Sequence, residues 1–128
     1  MKKTGKNKGF TLVELIVVIA ILVILAAILI PVVSGYIDDA NNAAGLANAR
    51  TVYAAAAAAS AASRMPGKTP LTGELTNATT EMKDYLGGGF TGTYTATLGA
   101  DGGVTKATWN SGATGATTYN YPATTVAP

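Results

Sequence analysis

The strongest constraint on this chain is an uninterrupted apolar run near its amino terminus. From Leu15 to Ile30, sixteen consecutive residues carry no polar side chain, and Pro31-Val32-Val33 extends the run. As a helix, Phe10 to Val33 would span roughly 36 Å at ~1.5 Å per residue. The hydrocarbon core of a bilayer is about 30 Å thick. A segment of this length and composition is apolar all round, so it belongs in lipid or inside a bundle of similar helices. An ordinary secretory signal fits less well. Such signals have an apolar region of about 7–15 residues followed by a small-residue cleavage site. Here the candidate small residues, Ala26 and Ala27, lie inside the run.

Charge sets an orientation. Lys2, Lys3, Lys6 and Lys8 precede the run, and residues 1–9 contain no acid. Without that segment the chain has five basic and seven acidic side chains. Positive charge flanking a membrane segment stays on the cytoplasmic side, so the carboxy-terminal part is expected outside. A nucleic-acid role for these lysines lacks support: no aromatic residue interleaves them and no second basic patch follows.

One carboxylate interrupts the front of the run. Glu14 follows Gly9-Phe10-Thr11-Leu12-Val13. An acid at the centre of a membrane helix costs on the order of 2.5–3.5 kcal/mol, and less near the ends. Two explanations stand side by side. Glu14 could sit in the first turn near the headgroups, complementing the helix dipole by about 0.3–1 kcal/mol. Alternatively, a cut between Gly9 and Phe10 would free an amine one turn before Glu14 on the same face. That amine, or the amine of a neighbouring chain, would partner a charge that otherwise has none in an apolar surrounding.

The string Lys8-Gly9-Phe10-Thr11-Leu12-Val13-Glu14-Leu15, with the apolar run behind it, resembles the amino-terminal signature of type IV pilins and related pseudopilins. The likeness covers roughly residues 1–35. It implies that a membrane-embedded prepilin peptidase cuts after Gly9 and methylates the new amino terminus at Phe10. It implies that Glu14 neutralises the amine of an adjacent subunit during filament assembly. Pro31 falls where many members have a helix-bending proline. Some members carry a helix-weakening glycine about two turns earlier; here the residue is Val23, so unwinding tied to that glycine is not implied. Many Gram-negative members close a carboxy-terminal loop with a disulfide. This chain has no cysteine, which leans towards a Gram-positive source.

The remaining chain is expected to form one small domain. Beyond Pro31, which should bend the helix without ending it, the sequence stays helix-compatible. Six consecutive alanines, Ala54 to Ala59, favour helix most strongly. Met65-Pro66-Gly67 is a stop. The helix is therefore predicted over residues 10–64, with residues 10–33 spanning the membrane. In its second half Leu46, Ala49, Tyr53, Ala56 and Ser60 share a stripe that can face a sheet. Residues 64–76 read as loop. Residues 77–86 read as a short helix capped by Asn77 and left at Gly87, with Met82, Tyr85 and Leu86 on its buried face. Three strands follow, 93–98, 104–109 and 116–121, joined by turns at Asp101-Gly102 and Asn110-Ser111-Gly112. Their inward positions would be Tyr94 and Ala96, Val104 and Lys106, and Tyr119 and Tyr121. The opposite parity of the second strand, with Ala107 and Trp109, competes, and the register stays open.

The fold class is thus α+β: a long amino-terminal helix packed through its second half on a small three-stranded antiparallel sheet. The predicted organisation is a leader at 1–9, the helix at 10–64 and a head at 65–128. A head this small needs the helix as its other wall.

Enzymatic chemistry finds little purchase. Without cysteine or histidine, thiol, imidazole and the usual zinc ligands are missing. The serines have no partner base. Asp38 and Asp39 are adjacent on a helix and point about 100° apart, which suits solvent better than a metal. Asp101-Gly102-Gly103 reads as a hairpin turn in preference to a calcium loop. Asn77-Ala78-Thr79 matches a glycosylation sequon, a frequent chance match. No cofactor or metal is expected. The leading expectation is a structural subunit of a surface filament. Its partners would be copies of itself, prepilin peptidase, the assembly machinery and the membrane. The alternatives are a secretion or competence pseudopilin and a single-pass anchored surface protein that never polymerises.

Overall fold

The computed structural model describes residues 9–122. The expected leader lies outside the described residues except for Gly9, as does the tail after Pro122. Helix α1 runs Leu12–Ser63 and contains Pro31. After it come strand β1 (Glu74–Thr76), helix α2 (Thr80–Leu86), and strands β2 (Thr93–Leu98), β3 (Val104–Asn110) and β4 (Tyr119–Tyr121). The chain divides into two compact units, one ending at Asp39 and one beginning at Ala40.

The first unit is helix alone. Every large apolar side chain from Leu12 to Val32 is 50% or more exposed. Nothing in the unit covers them.

The second unit joins the later turns of α1 to an antiparallel sheet of four strands in the order β1-β2-β3-β4. Four strands replace the expected three. The extra one, β1, falls in the segment read as loop; only its three residues pair, against Thr95–Thr97 of β2, too few for alternation to show in sequence. The last strand is also shorter than expected, starting at Tyr119 instead of residue 116.

The helix face is built from small residues. Gly45, Ala49, Val52, Ala55, Ala56, Ala59, Ser60 and Ser63 are buried. The expected stripe therefore holds at Ala49, Ala56 and Ser60, but Leu46 is exposed and Tyr53 half-buried. Ala96 and Ala107 of the sheet are fully buried in the same cluster as Val52, Ala56 and Ala59. Small faces small, so helix and sheet approach closely, and larger groups fill the margins: Leu75, Met82, Tyr94 and Leu98. The two buried serines are satisfied. The Ser60 hydroxyl donates to the Gly102 carbonyl at 2.7 Å, tying the β2–β3 turn to the helix. The Ser63 hydroxyl donates to the Ser60 carbonyl and accepts the Leu71 amide at 2.9 Å.

The register resolves the parity of β3. Tyr94 pairs Trp109, which pairs Tyr119; Ala96 pairs Ala107, which pairs Tyr121. Leu98 then pairs Val104 across an irregularity between Thr97 and Leu98. That bulge shifts the pairing by one residue. Val104 and Ala107, three positions apart, are both partly or wholly buried, while Lys106 is exposed. The parity with Ala107 and Trp109 inward therefore holds, while Val104, beyond the bulge, faces the core as the other parity expected and Lys106 does not. Helix α2 starts at Thr80, not at Asn77; its N-cap position is Thr79 and it leaves at Gly87 with φ 78°. Met82 is fully buried and Leu86 partly so, but Tyr85 is 48% exposed and does not share the buried face.

Candidate functional site

The amino-terminal site is built around the start of α1. Gly9, Phe10 and Thr11 precede the first helical residue, and Phe10 is 87% exposed. Thr11 occupies the N-cap position and Glu14 the third helical position. Their contacts are reciprocal. The Thr11 amide and the Thr11 hydroxyl each donate to Glu14 Oε2 at 2.9 Å, and the Glu14 amide donates to Thr11 Oγ1 at 3.2 Å. This is a capping box, in which two otherwise unpaired amides at a helix start are satisfied by side chains. The spacing Thr-x-x-Glu is the sequence signal of such a box, a local role for Glu14 besides the helix dipole and a free amine.

All three contacts bring Glu14 to Thr11 through Oε2 or the backbone. Oε1 has no hydrogen-bond partner among the described residues. Phe10, Glu14, Leu15, Val18 and Ile19 line a shallow hollow whose surface is apolar. Phe10 and Glu14 therefore border the same hollow at the start of the helix.

The stem that follows is long and apolar enough to cross a membrane. Left in water, its uncovered side chains would cost on the order of 25 kcal/mol or more, at about 1.5–3 kcal/mol each. They require a non-aqueous surrounding. Pro31 lies within α1. Proline has no amide hydrogen, so the Ala27 carbonyl loses its usual helical partner. The Ser34 hydroxyl donates to the Pro31 carbonyl at 2.9 Å one turn later. Asp38 and Asp39 are exposed.

The other sequence candidates have local roles. The Asp101 carboxylate accepts the Gly103 amide at 3.0 Å, and Gly102 donates to the Gly99 carbonyl, so these atoms shape the β2–β3 turn. Asn77 does not cap α2. Its Nδ2 donates to the Gly92 carbonyl at 2.8 Å and its Oδ1 accepts the Tyr94 amide at 2.8 Å. The carboxamide is engaged at both ends, which pins the entry of β2 to the turn before α2. Among the described residues no group of three or more Asp or Glu side chains is arranged to hold a metal ion.

Comparison with known proteins places this geometry in context. Residues 4–30 match the family described as the prokaryotic N-terminal methylation motif. Over 77 residues the chain is 43% identical to Fimbrial protein Q of Moraxella bovis, covering 59% of this chain and 45% of that protein. The chain thus spans less than half the length of this curated relative. No solved structure matches the chain.

Proposed function

We propose that this chain, which carries the amino-terminal methylation motif of prokaryotic pilins, is a structural subunit of a type IV pilus-like surface filament. One observation carries the reading: a helix uncovered on all sides, apolar for its whole membrane-length stretch, with one carboxylate at its front. The similarity to a fimbrial protein agrees with it.

In this reading residues 1–9 are a leader, removed by prepilin peptidase between Gly9 and Phe10, with methylation of the new Phe10 amine. Residues 10–64 form the helix, of which 10–33 sit first in the cytoplasmic membrane and later in the filament core. Residues 65–128 form a head on the outer side. Assembly exchanges lipid tails for a bundle of equally apolar helices, so the hydrophobic term nearly cancels. Packing and polar contacts between helices then decide the register, and a polar contact in such a setting is worth about 0.6–2 kcal/mol. Glu14 supplies that contact by receiving the amine of a neighbouring subunit on its unoccupied oxygen. Pro31 bends the stem.

Two measurements test this. The mass of chain taken from sheared surface material is expected to lack residues 1–9 and to carry one added methyl group. An intact Met1 start would favour a non-polymerising anchored protein instead. Glu14→Ala is expected to leave leader removal intact and to abolish filaments, whereas Gly9→Val is expected to leave the full-length mass. Normal filaments from Glu14→Ala would refute the pairing role. A secretion or competence pseudopilin shares these features; long filaments in electron micrographs of the cell surface distinguish the pilus.

A further inference from the structure

A cleft of about 330 Å³ opens between the helix near Asn41 and Gly45 and the loop that joins β3 to β4. We propose that it binds a neutral, polyhydroxylated ligand, a sugar ring of a glycan. This is independent of whether the chain polymerises.

Three features carry the assignment. The first is an aromatic wall. Trp109 and Tyr119 are direct cross-strand partners, with ring centroids 6.2 Å apart and planes tilted by 33°. Both rings are fixed by their polar ends. The Trp109 indole N–H donates to the Thr91 carbonyl at 2.8 Å, and the Tyr119 hydroxyl donates to Asn42 Oδ1 at 3.0 Å. A wall held before the ligand arrives loses little entropy on binding. The C–H faces of pyranose rings stack on such surfaces.

The second feature is unused hydrogen-bonding capacity beside the wall. Asn41 and Thr117 line the cleft, and neither side chain makes a hydrogen bond among the described residues. Ser111 accepts the Ala113 amide at 3.4 Å and keeps its own hydrogen to donate. A carboxamide and two hydroxyls offer both donors and acceptors, which is what alternating sugar hydroxyls require.

The third feature is the lack of charge. No Asp, Glu, Lys or Arg lines the cleft, so a phosphate, carboxylate or amine would enter without a counter-charge. Its volume lies at the small end of the ~300–1,000 Å³ range of ligand pockets. A stable protein contact buries about 800 Å² on each partner, more than this cleft presents. A second protein is therefore the poorer occupant.

Trp109 is the chain's single tryptophan, so its emission reports on this cleft alone. The full chain, held in a micelle of a detergent without a sugar headgroup, would be titrated with lactose, maltose and di-N-acetylchitobiose up to about 0.1 M, where a Kd of even about 10 mM saturates. The expected result is a saturable change in Trp109 emission with at least one of them, weakened about tenfold in Asn41→Ala and in Thr117→Val. Both substituted residues are exposed, so far-ultraviolet circular dichroism should be unchanged. A lack of saturation with all three, a response unaltered in both variants, or an emission change that follows protein concentration and light scattering instead of sugar would overturn the proposal.

Discussion

At the scale of single residues, the structure gives Thr11 and Asn77 work that their neighbours make necessary. Thr11 orients the Glu14 carboxylate through two donors and caps the helix with its hydroxyl. Thr11→Val keeps the shape and removes the hydroxyl. Loss of an N-cap costs about 0.5–2 kcal/mol, so the Glu14 amide should exchange with solvent about tenfold faster in micelles, read by hydrogen exchange. Asn77 joins the Gly92 carbonyl to the Tyr94 amide. Asn77→Ala leaves both without their partner and should destabilise the head by about 1–3 kcal/mol. Asn77→Asp retains the acceptor for Tyr94 and should lose less. Denaturant midpoints followed by Trp109 emission would rank the three proteins. Equal losses in the two variants would show that the bond to Tyr94 contributes nothing.

At the scale of elements, β4 is the informative case. It pairs with β3 over only Ala107, Thr108 and Trp109, and no disulfide holds it. Aromatic packing on the helix does so instead. Tyr121 meets Tyr53 edge-on with centroids 5.2 Å apart, and the Arg50 guanidinium lies 5.4 Å from the Tyr121 centroid. Tyr119 lies against Gly45, where an added Cβ would overlap the tyrosine ring. Glycine is there to let the ring in, since Gly45 sits in ordinary helix and needs no unusual backbone. Gly45→Ala should therefore destabilise the head despite alanine's better helix propensity, by about 1–3 kcal/mol for a forced repacking. Gly35→Ala, which meets open space, should be neutral or stabilising. Measuring the two together separates overpacking from propensity. A Gly45→Ala protein as stable as the parent would mean that Tyr119 moves aside freely.

At the scale of the whole molecule, the two units answer to different solvents. The first unit exposes its apolar side chains along its whole length and has no core of its own. The head gains stability from its own small core, so its unfolding should respond to the aqueous phase. Burial pushes the Tyr94 phenol above its ordinary value of 10.0. Below that value both folded and unfolded chains hold the proton, and Tyr94 adds no pH dependence. Above it the unfolded chain ionises while the fold still holds the phenol neutral, so stability falls as pH rises through that window. The head should lose denaturant resistance from about pH 10 upward. Tyr94→Phe should remove that component while leaving the stem's helicity unchanged. An identical alkaline decline in Tyr94→Phe would assign the effect to other tyrosines.

Residue order alone determined the stem, its start and its front carboxylate. An unbroken apolar run has one physical solution, a helix away from water, and Thr-x-x-Glu is a local signal closed within one turn. It also announced the alanine-rich continuation, the stop at Met65-Pro66-Gly67 and the α+β class, because propensities and turn residues act over a few neighbours. The tertiary structure alone decided the parity of β3, the existence of β1, the diversion of Asn77 from cap to pin, and the meeting of Trp109, Tyr119 and Gly45. Each of these depends on what lies across a sheet or against a helix, at separations along the chain that no local pattern encodes. A bulge displaces one residue, and every side chain beyond it changes face.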